Sequence, residues 1–190
     1  MHPWEIFLMD PKFICSTNSL INWDDFLLNL HNEDSIPNCL ARSDDDFNEQ
    51  GEPYHSWLKN ANYNWNNVTW TDFNLENTKT DIIEKFSNLV NSRMLRCFIS
   101  KVDPGVVVAT HWDEGDVRFY DVANKEKMSR YVCFIQEPLP GHLFVVDNHC
   151  FYKVAKGSVY KWNNYTDFHS AANTGFQSHY IFHFLGEDYN

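Results

Sequence analysis

His111-Trp112-Asp113 follows directly on the β-branched run Val106-Val107-Val108-Ala109-Thr110. In an extended strand, residues i and i+2 leave the backbone on the same side, so the imidazole of His111 and the carboxylate of Asp113 can address one atom. That donor pair suits a first-row divalent cation, and iron(II) in particular when a second histidine completes a facial set of three. His31-Asn32-Glu33 has similar chemistry but falls at the end of an expected helix. There, i and i+2 diverge by about 200° and cannot share a metal.

The third ligand should be a histidine on a strand returning to the same end of the fold. Six of the nine histidines lie between His111 and His183, and the candidates are His142, His149, His169, His179 and His183. His142 and His149 flank one expected strand and are assigned structural roles. His183 is expected to be a buried, hydrogen-bonded histidine.

These residues need elements to position them. From Cys97 onward the chain reads as short β-rich runs broken by turn signals at Asp103-Pro104-Gly105, Pro138-Leu139-Pro140-Gly141 and Gly157. The expected strands cover residues 96–102, 106–110, 131–136, 143–146, 150–154, 159–162, 168–172 and 180–185. Eight closely spaced strands without an intervening long helix indicate an antiparallel sandwich or barrel. Before residue 96 the periodicity is helical in two places. Asn22 is a plausible N-cap for a stripe of Trp23, Phe26, Leu27 and Leu30, and Thr78-x-x-Asp81 resembles a capping box before Ile82, Ile83, Phe86, Leu89 and Val90. Residues 43–77, rich in Asn, Asp and Trp, are expected to hold short strands or a functional lid, with irregular cover anchored by aromatics favoured over a substrate-binding role.

Composition bounds the partners. The 190 residues carry a formal charge of −11, so no basic surface offers itself to a phosphate backbone and nucleic acid is not an expected partner. Hydrophobic residues make up 43 % of the chain, including 7 Trp, 9 Tyr and 15 Phe, which is the content of a folded globule. No apolar run is long enough to span a bilayer, and the start lacks a basic leader, so neither membrane nor secretion is expected. Five scattered cysteines without a CxxC pair read as reduced thiols in a cytoplasmic protein.

The stretch from about Arg96 to Gly186 resembles the iron(II)/2-oxoglutarate-dependent dioxygenases, in particular their aspartyl/asparaginyl β-hydroxylase and prolyl hydroxylase-like branches. The resemblance is carried by Pro104-Gly105 ahead of His111-Trp112-Asp113, the strand Arg130-Tyr131-Val132-Cys133-Phe134-Ile135, Gly157-Ser158-Val159-Tyr160, and the distal His169-Ser170-Ala171-Ala172-Asn173. It implies a mainly β fold with flanking helices, a double-stranded β-helix of the jelly-roll or cupin kind. The chain would then be a single domain, with residues 96–186 as catalytic core and residues 1–95 as a helical, aromatic-rich portion packed on the barrel. The resemblance further implies Fe(II) on His111, Asp113 and His169, and 2-oxoglutarate and O2 as cosubstrates.

Relatives grip the distal carboxylate of 2-oxoglutarate with a basic residue ten positions after the distal histidine, which here is His179. Arg130, Ser178, Tyr160 and Lys161 are expected to assist it, with Arg130 and His179 both pointing inward. The implied activity is hydroxylation of an amino-acid side chain, free or in a peptide. A cupin-like metal enzyme that does not use 2-oxoglutarate and a non-catalytic barrel module are the alternatives.

Overall fold

The computed structural model describes residues 11–30, 35–39, 69–75, 80–111, 127–163 and 167–189. Eleven strands and two helices are present among them. They are β1 (Lys12–Ser16), α1 (Trp23–Leu28), β2 (Ser35–Cys39), β3 (Thr69–Asn74), α2 (Thr80–Val90), β4 (Ser92–Val102), β5 (Val107–His111), β6 (Met128–Cys133), β7 (His142–Val146), β8 (His149–Phe151), β9 (Ser158–Asn163), β10 (His169–Asn173) and β11 (His179–Asp188).

The strands form a 7-stranded sheet in the order β1-β9-β6-β11-β4-β3-β2 and a 4-stranded sheet in the order β5-β10-β7-β8, with antiparallel pairings throughout. From β4 to β11 the chain passes back and forth between the sheets. Four strands of the large sheet (β4, β11, β6, β9) therefore face the four of the small one. This is a double-stranded β-helix, mainly β with flanking helices.

Alternation along each strand sorts its side chains between two cores. On the barrel side, Val132, Phe134, Phe144, Val146, Phe151, Trp162 and Ile181 bury one another between the sheets. On the outer side of the large sheet, Tyr131, Cys133, Phe182 and Phe184 meet Trp23 and Phe26 of α1 and Ile83 and Phe86 of α2. The Asn22 side chain caps α1 by accepting from the Asp25 N–H at 3.4 Å. In α2, Ile83, Phe86 and Val90 are the buried stripe, and Asn91 ends the helix at φ 54°, the left-handed conformation that stops a helix and turns the chain into β4. The expected cap Thr78 lies outside the described residues.

β3 falls within the 43–77 stretch expected to hold short strands, and with β2 it extends the large sheet beyond β4. β2, and β1 beside β9 at the other edge, lie where no strand is expected from the sequence. Two features hid these two strands. β2 carries Pro37, which lacks a ladder donor and is tolerated here because β2 is the edge of the sheet. β1 lies at the opposite edge with little buried surface, so its sequence shows no clean alternation.

The connections set the polarity of the barrel. β4→β5, β6→β7, β8→β9 and β10→β11 all cross between sheets at one end, the closed end. His111, the last residue of β5, and His169, the first of β10, lie at the other, open end.

Candidate metal centre

His111 and His169 are direct register partners across β5 and β10. Their ring centroids are 4.3 Å apart at 50°, and they are only 7 % and 8 % exposed. A β-bulge produces this meeting. Pairing runs from Ala171↔Val108 to His169↔His111, so three steps on β5 are matched by two on β10. Val108 is buried with the barrel interior, and strict alternation would have sent Thr110 inward and His111 out. The extra residue re-aims His111 toward the interior, a recurrent use of bulges beside functional sites. Asp113, with Trp112, Glu114 and Asp116, lies outside the described residues. Among the described residues no group of three metal-ligating side chains occurs. The donor set fits a divalent cation in kind, since two adjoining imidazoles in a water-poor pocket offer nitrogen ligands to one ion.

Aromatic rings wall this pair. Trp162 lies 6.0 Å from His169 and 5.8 Å from Phe144, centroid to centroid. His183 stacks on Phe98 at 4.8 Å with planes 5° apart, and its ring is 6.2 Å from that of Phe144. Two guanidinium groups approach the Phe98 ring, Arg96 at 4.7 Å and Arg130 at 5.6 Å. Arg130 is 2 % exposed and pairs across strands with Trp162 on one side and Leu185 on the other. A permanently charged, buried arginine thus lies one strand from the indole that touches His169.

The residues expected at the cosubstrate carboxylate do not converge. On β11, Leu185 is the partner of Arg130, while His179 is six residues away at the closed end, a separation of about 20 Å along a strand. Arg130 and His179 cannot grip the same small carboxylate. His179 is also chemically unsuited to a cationic grip. Burial first, and the neighbouring His142 second, push its pKa down to about 3, so it is neutral at ordinary pH.

His179 stacks on His142 at 4.4 Å and on Phe134 at 6.4 Å, and neither of its ring nitrogens has a hydrogen-bond partner among the described residues. His142 is fully engaged. Its Nδ1 accepts from the Leu139 N–H at 3.2 Å, which leaves the proton on Nε2 to donate to the Gln177 carbonyl at 2.8 Å. His142 thus has the expected structural role, in direct contact with His179. His149 is exposed on β8.

Three further expectations are placed by their partners. The Ser178 hydroxyl donates to Asp103 at 2.5 Å, on the rim of the closed end. Lys161 lies on the outer face of the large sheet, where its Nζ donates to Asp188 at 2.5 Å beside the Tyr131 and Ser129 hydroxyls that bond the same carboxylate. It is turned away from the barrel because its register partner, Tyr131, belongs to the outer core. Tyr160 does face inward, 4.7 Å from Phe151 and 6.0 Å from Phe134. Sequence reasoning missed Trp162, Phe98 and Arg96. Alternation could have found Trp162, which shares the inward face of β9 with Tyr160.

No protein-family model matches this chain, and no curated protein does. Among solved structures it is similar to an oxidoreductase of the 2OG-Fe(II) oxygenase family from Burkholderia pseudomallei, at 11 % sequence identity and a TM-score of 0.47, over 90 % of this chain and 93 % of that one. It is also similar to a prolyl-4-hydroxylase from Pseudomonas putida, at 14 % identity and a TM-score of 0.45, over 63 % and 70 % of the two chains. A third likeness is to a predicted oxalate decarboxylase from Thermotoga maritima, at 15 % identity and a TM-score of 0.38, over 63 % and 81 %.

Proposed function

We propose that this chain is an Fe(II)- and 2-oxoglutarate-dependent dioxygenase that hydroxylates an unactivated C–H bond of an amino-acid side chain, free or in a peptide. The observation that carries the reading is the buried His111–His169 pair, built by a bulge at the open end of a double-stranded β-helix. In this reading His111, His169 and Asp113 hold the metal. When bound, iron supplies the oxidation that converts 2-oxoglutarate and O2 to succinate and CO2 and leaves the second oxygen atom on the substrate as hydroxyl.

The chain's own residues do the rest. Trp162, packed on Phe144, covers His169 on one side, and the two imidazoles stay fixed by strand pairing. Arg130 is a buried, inward cation at that end and is assigned the distal carboxylate of 2-oxoglutarate, in place of His179. The acidic chain favours a neutral or basic substrate over nucleic acid.

A second reading, a cupin-like metal enzyme that does not use 2-oxoglutarate, is favoured by one observation. His179, at the position where relatives carry the carboxylate-binding residue, is neutral and stacked between Phe134 and His142. Anaerobic addition of Fe(II) and then 2-oxoglutarate to metal-free protein separates the two. The first reading expects the visible charge-transfer band of a chelated keto acid, abolished together with iron binding by His169→Ala. Iron binding without the band overturns it in favour of the second.

A further inference from the structure

Trp162 is 4 % exposed, and its Nε1–H is buried with no acceptor among the described residues. An indole nitrogen can only donate, and a buried donor left unmet forfeits the full cost of its desolvation. Folded proteins leave few such groups, and each calls for an explanation. Packing does not supply one. The ring contacts of Trp162 with Phe144 and His169 would be served by a phenyl group, which carries no polar atom to bury.

The location of the indole is specific. Its ring lies 6.0 Å from that of His169, and its cross-strand partner on β6 is Arg130, a second group that donates and cannot accept. The wall beside the histidine pair thus presents two donors, one neutral and one charged.

We propose that the Trp162 indole N–H, together with the Arg130 guanidinium, forms a carboxylate-binding wall at the open end of the barrel, the indole donating to an oxygen of bound 2-oxoglutarate. The inference rests on the reading under Proposed function and adds a binding residue to it. The wall selects an acceptor-rich, anionic ligand, and it anchors the cosubstrate in the layer of the histidine pair instead of at the closed end, where His179 lies. An amide or alcohol in place of the carboxylate would lose the charge-assisted contact to Arg130, and with it the affinity that brings an oxygen to the indole.

The test uses the full chain loaded with Zn(II), so that binding is read without turnover. Trp162→Phe should bind Zn(II) as the wild type does and melt, without 2-oxoglutarate, at the same or a higher temperature, because an unmet donor has been removed. Its Kd for 2-oxoglutarate should rise by about 10-fold or more, the loss expected for one hydrogen bond to a charged group. Independently, in wild-type protein labelled with 15N on its indole nitrogens, the Trp162 Nε1–H resonance should shift when 2-oxoglutarate is added and stay in place when succinamide is added.

A wild-type Kd in Trp162→Phe, or an indole resonance that 2-oxoglutarate does not move, overturns the inference and leaves the proposed function standing. Failure of the zinc-loaded wild type to bind 2-oxoglutarate at all overturns both. If Trp162→Phe does not fold, the resonance shift in the wild type decides alone.

Discussion

His179 is an imidazole that folding holds neutral, and this has a thermodynamic consequence. Its folded pKa of about 3 lies far below the unfolded value near 6.5. Above pH 6.5 neither state carries the proton and the group is silent. Between pH 6.5 and 3 the unfolded chain takes up a proton that the folded chain refuses, so stability falls as the pH falls. Acidification from pH 7 to pH 5 should cost about 2 kcal/mol through this residue. Urea unfolding at the two pH values should show that loss in the wild type and a correspondingly smaller one in His179→Phe, whose ring can keep the stack between Phe134 and His142. An equal acid loss in both proteins would place the sensitivity elsewhere.

At the level of elements, the outer core shows which features could be read from sequence. The stripe of Ile83, Phe86 and Val90 specified α2 because a period of 3.6 has one solution, an amphipathic helix on an apolar partner. In the structure that partner is β11, with Phe86 4.8 Å from Phe182 and 5.1 Å from Phe184. Phe86 is fully buried, so Phe86→Ala should lower unfolding free energy by about 3–5 kcal/mol in urea titrations. The damage is on the outer side of the large sheet, and Zn(II) binding by the barrel should persist.

The strands from β4 onward were legible because Gly and Pro punctuate them and their alternation is strong. β1 and β2 were not, for the reasons of edge position and Pro37 already given, and β3 was legible only as one of the short strands expected within 43–77. The site was legible in residue type and less so in placement. His111 was named from its spacing to Asp113 and His169 was singled out by a resemblance, and the bulge that brings the two together depends on register, which no local pattern encodes. Arg130 and His179 share an inward parity, but parity does not tell how far apart along a sheet two residues lie. Parity alone allowed only one of the neighbours Tyr160 and Lys161 to face inward, so both could not serve the site.

Across the whole molecule, the closed end is tied together by hydrogen bonds that involve its crossovers. Asn173 donates through Nδ2 to the carbonyls of Val102 at 2.8 Å and Gln177 at 2.7 Å, and its own carbonyl accepts from the Gly105 N–H at 2.7 Å. Gly141 stands at φ +95° and its carbonyl accepts from the Thr174 N–H at 2.9 Å. A Cβ there would overlap the backbone of Thr174 and Gly175, so the β6–β7 and β10–β11 connections touch through a glycine with no room for a side chain. Gly141→Ala combines that overlap with an unfavourable φ and should destabilise the fold by about 2 kcal/mol or more, read as a lowered melting temperature. Among the described residues, no helix is long and apolar enough to cross a membrane.

The gathering of the crossovers at one end also divides the molecule in its motions. Amides such as those of Phe134, Gly157 and Asn173 close the paired strands at that end and should be among the slowest to exchange with solvent. His111 and His169 lie at the opposite rim, away from those bonds, so exchange of their amides need not follow exchange at the closed end.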